Sequence, residues 1–247
     1  MPDITLITPV RNSAETIADS IRSVNAQTLD CQHIFVDGAS TDGTLEIIEK
    51  EKRAGDVLIS EPDRGMYDAI NKGLERATGD VIGILNADDY YPDDTVLQQV
   101  ASTFEDPAID ACYGDLLYVD RNDTNKIVRN WKSGEYDKKM FYNGWMPPHP
   151  TFFVRKRLYE KHGGYRLDLG SAADYEMMLR LLLRHAARAA YIPRVLVHMR
   201  NDGMSNASLK NRLRANRFDR EAWRVNGVKP RPWTLAAKPL RKILQWM

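Results

Sequence analysis

The stretch GDVIGILNADDYYPDD, residues 79–94, decides how this chain is read. Residues 81–85 are an uninterrupted apolar run, short enough for a strand buried on both faces. The run stops at Asn86-Ala87-Asp88-Asp89, and Pro92 then opens a segment that reads as a helix to about residue 104. Buried strand, acidic turn and helix form the unit of a parallel α/β sheet, whose ligands gather beyond the carboxyl ends of the strands.

The same unit repeats upstream. Ile4–Val10 reads as a first buried strand, followed by a helix from a cap at Ser13 to about Gln27 that carries Ile17, Ile21 and Val24 on one face. Residues 34–36 form the second strand, with Asp42 capping the next helix. Residues 57–59 form the third, before a helix over 66–77. Past residue 107 the rhythm changes. Residues 111–119 and 126–131 read as longer strands around the polar turn 120–125, and GWMPPHP at 144–150 is a stiff loop with three prolines. A short strand at 151–154, a short helix at 157–162, a strong helix over 174–185 and a last strand at 195–199 complete the pattern. The prediction is an α/β fold with an open, mostly parallel, twisted sheet flanked by helices, followed by a helical, basic C-terminal extension.

Composition narrows the class. Of 247 residues, 43% are hydrophobic, enough for a packed core. The net charge of +1 hides an asymmetry. From Ala207 to Met247 there are 11 Lys/Arg against 2 Asp/Glu, so the body before it is acidic. Cys31 and Cys112 have no metal or redox spacing and read as free thiols in a reducing cytoplasm. No apolar run approaches a membrane span or a signal peptide. The expectation is a cytoplasmic protein, with peripheral attachment to the inner membrane face open to it.

The chemistry concentrates at four strand ends: Pro9-Val10-Arg11-Asn12, Asp37 to Thr44, Glu61-Pro62-Asp63-Arg64-Gly65, and Asn86 to Asp89. Each alone could be an ordinary turn. Together they would crowd carboxylates at one rim, a repulsion that a cation or hydrogen-bond donors must offset. Asp88 and Asp89 after an apolar strand suit Mg2+ or Mn2+, hard cations that share their ligands with substrate phosphates. The alternative is a solvated acidic turn. No GxxxxGK[ST] and no GxGxxG follows the first strand, which excludes a P-loop NTPase or a standard dinucleotide enzyme. A sugar nucleotidyltransferase would need a Gly-rich loop where Pro9-Val10-Arg11-Asn12 stands. A non-catalytic sugar-nucleotide-binding protein would have no need of the full acidic set.

ITLITPVRN at 4–12, IFVDGASTDGTLEII at 34–48, ISEPDRGMYDAINKGLERATGDVIGILNADD at 59–89 and HPTFFVRKRLYEKHGGYRLDLGSAADYEMMLRL at 149–181 together resemble the family 2 glycosyltransferases of the GT-A fold. The resemblance covers about residues 3–185 and implies an inverting transfer from a nucleotide diphosphate sugar, UDP-sugar before GDP-sugar, to a saccharide or lipid-linked acceptor hydroxyl. It implies a GT-A domain over 1–206, with a nucleotide-sugar half at about 1–106 and an acceptor half at about 107–206. By position, Pro9, Arg11, Asn12, Asp37, Asp63, Gly65 and Lys72 would line the nucleotide pocket. Asn86-Ala87-Asp88 occupies the family's DxD position, with Asp88 the leading ligand of Mn2+ or Mg2+ and Asp89 in support. Asp174 stands at the catalytic base, a position where it could also cap its helix. Three residues depart from the pattern: Asn86 for the first DxD carboxylate, Ala173 for an acid before the base, and DGAS for DDGS after the second strand.

His149 and Trp145 are candidates for substrate contact, against a structural hydrogen bond and a buried ring respectively. His198 is a candidate for metal or diphosphate, against a locally satisfied strand histidine. The extension at 207–247 mixes Trp233, Leu235, Leu240, Ile243, Leu244 and Trp246 with Lys238, Arg241 and Lys242, which suits a helix on an anionic membrane surface. A helix packed on the acidic body or an oligomer contact is the alternative. Nucleic acid is not expected, since no recognition motif accompanies the charge.

Overall fold

The computed structural model describes residues 1–201 and 209–243. Nine strands form one curled sheet in the order β3-β2-β1-β4-β8-β6-β9-β5, with β7 paired to β6. They are β1 (Ile4–Val10), β2 (Gln32–Asp37), β3 (Val57–Ser60), β4 (Val81–Ile84), β5 (Asp89–Tyr90), β6 (Ala111–Val119), β7 (Ile127–Trp131), β8 (Phe153–Arg155) and β9 (Ala189–Arg200). The helices are α1 (Ile17–Asn25), α2 (Thr44–Glu51), α3 (Met66–Arg76), α4 (Val96–Thr103), α5 (Lys139–Tyr142), α6 (Lys156–His162), α7 (Ala173–Met178), α8 (Leu209–Val225) and α9 (Thr234–Ile243).

The parallel arrangement read from the sequence holds across β3-β2-β1-β4. Every residue of β1 is buried, as a strand must be when helices cover both faces. Beyond β4 the sheet is mixed. β8 runs antiparallel to β4 and to β6, β9 runs parallel to β6, and β5 runs antiparallel to β9. α1 begins at Ile17 rather than near Ser13, because the Ser13 carbonyl accepts from the N–H groups of both Thr16 and Ile17 in a preceding turn. The N-cap of α2 is Gly43 rather than Asp42, at a φ of 91° that suits glycine, and Asp42 Oδ1 accepts from the Thr44 N–H at 3.1 Å from one residue further out.

Two connections position the rim. The two-residue strand β5 carries Asp89 and Tyr90 onto Met199 and His198 of β9, joining the end of the fourth strand to the end of the last. α7 follows a 3₁₀ segment, Leu167–Ala172, and continues as π-helical turns over Leu179–Arg184. α8 braces this segment: the fully buried Trp223 donates from Nε1 to the Tyr175 hydroxyl at 3.0 Å. The start of α9 is tied in as well, with Thr234 Oγ1 donating to the Tyr142 carbonyl at 2.6 Å and Lys238 bonded to Asp219 at 2.7 Å. The Lys238 ammonium also lies 3.7 Å from the Tyr175 ring centroid. Side chains of residues 209–214 and 239–243, and residues 202–208 and 244–247 entirely, lie outside the description. Leu240, Arg241, Lys242, Ile243, Leu244 and Trp246 of the tail lie among these residues.

Candidate active site

The loops that follow β1, β2 and β3 are bonded to one another. Asn12, with φ of 49°, donates its N–H to Ser40 Oγ at 2.8 Å and accepts from the Thr41 N–H at 2.9 Å. Ala39 also sits at positive φ, 59°, where a Cβ is unwelcome. Two non-glycine residues in this region at adjoining loop ends store strain of the kind found where a loop is shaped for a ligand. Asp37 lies beneath, fully buried, and its carboxylate accepts from the Ser40 N–H, the Ser40 hydroxyl and, at 2.7 Å, the Ser60 hydroxyl. It shapes the turn rather than presenting an open edge. Pro9 is buried in β1, while Arg11 is exposed above it. Asp63 accepts from the Gly65 N–H at 2.7 Å and packs so close to Gly38 that a Cβ there would displace its carboxylate. Lys72 is committed to its neighbours: Nζ lies 2.7 Å from Glu61 and 2.9 Å from the Pro62 carbonyl.

At the end of β4, Asn86 and Asp89 form a pair, Asn86 Nδ2 donating to Asp89 Oδ2 at 2.8 Å. Asp89 is fully buried, and burial pushes its carboxyl well above the ordinary range, reinforced by the adjacent Asp88 charge. Its bonded oxygen ties it to Asn86 across the turn. Asn86 Oδ1 and Asp89 Oδ1 are both buried without a hydrogen-bond partner, an expense that a cation would relieve. Asp88 stands half-buried between them, and Ala87 is buried. Among the described residues no three of His, Cys, Asp and Glu converge as a complete metal cage. The donor set nevertheless fits Mn2+ or Mg2+, which take one or two protein carboxylates and complete their shell with phosphate and water.

Sequence reasoning missed Arg200. It is 5% exposed at the end of β9 and donates from Nη1 to the Asp88 main-chain carbonyl at 2.9 Å and from Nη2 to Asp19 Oδ2 at 2.5 Å. The signal was an arginine closing an apolar strand. His198, two residues before Arg200 in β9, shares the Tyr90 ring with it, edge-on at 5.2 Å, and burial lowers its pKa.

Asp174 opens α7, half-buried, with Oδ1 accepting its neighbour's N–H, that of Tyr175, at 2.7 Å. The Tyr67 phenol lies against it. Burial raises that phenol well above its ordinary value, and the Asp174 charge adds to the rise. Tyr67 stacks on Tyr165 with centroids 5.5 Å apart, and the Tyr165 hydroxyl meets His149 Nε2 at 2.8 Å. His149, 8% exposed, thus closes a buried cluster of aromatic side chains that ends at Tyr67, and burial lowers its pKa. Trp145 is 3% exposed, donates from Nε1 to the Ser133 carbonyl at 3.0 Å and is walled in by Tyr113, Tyr136 and Phe141. As packed, it has no ring face open to a sugar.

The two acidic centres share one neighbour. Burial raises the Tyr118 phenol, Arg129 pulls it back, and the charges of Asp89 and Asp174 both push it further up. One phenol that feels both charges brings the end of β4 and the start of α7 into the same neighbourhood.

A curled sheet of this order with an acidic strand-end rim is the GT-A fold, and solved structures agree. A mannosyltransferase from Pyrobaculum calidifontis in complex with GDP-Man and Mn2+ superposes with a TM-score of 0.67 at 22% identity, covering 96% of this chain and 69% of that one. S. aureus TarS 1-349 in complex with UDP gives 0.69 at 18% identity, covering 97% and 71%. The model of glycosyl transferase family 2 matches residues 5–163. A PGL/p-HBAD biosynthesis glycosyltransferase of Mycobacterium tuberculosis is 31% identical over 83% of this chain and 80% of its own length. An uncharacterized glycosyltransferase of the same species is 32% identical over 74% and 70%. The chain belongs to glycosyl transferase family 2 and is a glycosyltransferase.

Proposed function

We propose that the chain transfers a sugar, with inversion, from a nucleoside diphosphate sugar to an acceptor hydroxyl, with Asp174 as the base. The observation that supports this reading is that the charges of Asp89 and Asp174 both act on the Tyr118 phenol, so the turn after β4 and the start of α7 approach one side chain. The nucleotide would lie over Arg11, Asn12, Asp63 and Gly65, with Pro9 and Asp37 beneath. Asp88, with Asn86 Oδ1 beside it, would hold Mn2+ or Mg2+. When bound, that ion would neutralise charge on the departing diphosphate. Asp174 accepts the acceptor proton as the hydroxyl attacks the anomeric carbon from the opposite face. One carboxylate suffices, whereas a retaining two-carboxylate mechanism would need a second across the bond. UDP-sugar is favoured and GDP-sugar remains in the panel, since structural neighbours were solved with either nucleotide.

The acceptor we propose is a saccharide or lipid-linked saccharide, met at the inner face of a membrane. Among the described residues no helix is long and apolar enough to cross one. The described part of the tail is divided in its loyalties. Lys238 is bonded to Asp219 of α8, within the extension itself, while Trp233 is 51% exposed. Surface attachment therefore falls to Trp233 and the residues beyond 238.

The test is a panel of UDP- and GDP-sugars with Mn2+ or with EDTA, read by nucleoside diphosphate release and by the anomeric configuration of the product. Cation-dependent release with inversion is expected. Equal release in EDTA removes the ion, and a retained configuration removes Asp174 as a simple base.

A further inference from the structure

Arg129 is a half-buried guanidinium that the fold leaves without an acidic partner. Its Nε is buried with no hydrogen-bond acceptor, and among the described residues no carboxylate bonds to it. Other buried arginines are provided for. Arg200 meets Asp19 and the Asp88 carbonyl, Arg180 meets Glu176 at 3.2 Å, and Arg155 caps the carbonyls of Phe104 and Ile109. What holds Arg129 is aromatic: its guanidinium lies 3.7 Å from the Tyr118 ring centroid and 5.6 Å from that of Trp131. A cation over a ring gains about 0.5–2 kcal/mol, which does not replace the hydrogen bonds lost on burial.

Register places this cation relative to the rim. Arg129 pairs with Tyr118, Tyr118 with Met199, and Met199 with Asp89. Paired residues project to the same face of a sheet, so Arg129 and Asp89 share a face, three strand spacings or about 14 Å apart at the backbone. The Arg129 side chain spans part of that gap by lying over Tyr118, the same ring that senses both Asp89 and Asp174.

We propose that Arg129, laid on Tyr118, binds a substrate phosphoryl group on the acceptor side of the active site. The proposal rests on the donor and base assignment above. A planar fork of N–H donors on a fixed ring is suited to bidentate contact with phosphate oxygens, and the stack removes the freedom that would otherwise be lost on binding. The phosphoryl group belongs either to the donor diphosphate or to a phosphorylated acceptor.

The experiment is calorimetric titration of wild type and Arg129→Met, with Mn2+ present, using UDP, GDP, UMP, GMP and phenyl phosphate. Met keeps the stem over Tyr118 and removes the charge. If the donor supplies the group, affinity for the nucleoside diphosphate falls about tenfold or more while the monophosphate is unaffected. If the acceptor supplies it, nucleotide affinities are unchanged and phenyl phosphate binding at saturating nucleoside diphosphate is lost. Wild-type affinities for all five probes in the variant overturn the proposal. Should Arg129→Met not fold, Arg129→Lys takes its place, because it keeps the charge and loses the fork, and the same losses are expected in weaker form. A wild-type protein that takes neither UDP nor GDP overturns the donor assignment instead, and phenyl phosphate titrated without nucleotide still decides Arg129.

Discussion

Arg200 holds the main-chain carbonyl of Asp88 at 2.9 Å from the far end of the chain, and its other arm reaches Asp19. The last strand thereby fixes the turn at the end of the fourth. Replacing Arg200 by Met should weaken activating Mn2+ and slow transfer, each by about 10–100-fold, as loss of an outer support for a ligand does. The cost in stability should be smaller, about 1.5–3 kcal/mol, because Asp19 is half-exposed and water can take over its charge. Mn2+ activation curves beside thermal melts separate the two. Activity that falls only in step with melting would make Arg200 structural alone.

Asp174→Asn should leave donor binding and melting temperature near wild type, since the amide oxygen can still accept from the Tyr175 N–H. It cannot take a proton from an alcohol, so transfer should fall by about 10²–10⁴-fold. Steady-state transfer and nucleotide titration on one preparation check this, and normal turnover would remove Asp174 as the base.

Gly170 lies in the 3₁₀ segment just before Asp174, at φ 49° and ψ −126°, and a Cβ there would stand 2.7 Å from Phe218 of α8. Backbone strain and contact act together, so Gly170→Ala should cost about 1–3 kcal/mol and raise the acceptor KM by displacing Asp174. Adding Phe218→Leu should recover part of the stability, the part due to contact. An unchanged melting temperature in Gly170→Ala would mean that α8 does not constrain this segment.

The alternation of buried strands and amphipathic helices up to residue 104 was legible because it is local: β1 to β4 and α1 to α3 follow from apolar runs and periods. Local pattern could not show that β5 would cross to β9, since a two-residue strand has no period, and only that pairing joins Asp89 to Met199. Asp174 was reachable by position, but its partner Tyr67 lies more than a hundred residues upstream and carries no mark beyond an aromatic on a helix. Lys72 was placed at the nucleotide pocket by position alone, and sequence could not show that Glu61 and the Pro62 carbonyl meet it once α3 has packed. Arg129 was invisible for the opposite reason: its distinction is a missing partner, and sequence does not reveal what fails to meet.

The parallel half also carries a titratable group that sequence alone would leave in the shade. His33 is fully buried in β2, with Nε2 2.9 Å from Thr8 Oγ1 and Nδ1 without a partner. Burial lowers its pKa to about 3, so in the folded chain it stays neutral while in the unfolded chain it takes up a proton near its ordinary value. Between those two values the unfolded state binds more protons, so stability is full above about pH 6.5 and falls as the pH drops toward 3. The contribution is up to about 1.4 kcal/mol for each pH unit below that point. His33→Gln keeps a polar group for Thr8 and removes the titration. Urea midpoints from pH 8 to 5 should fall more steeply for wild type than for this variant, even if the variant is the less stable of the two at pH 8. Parallel curves would show that His33 is charged in the folded chain or reached by water, and that the interior of β1 and β2 is less dry than its packing implies.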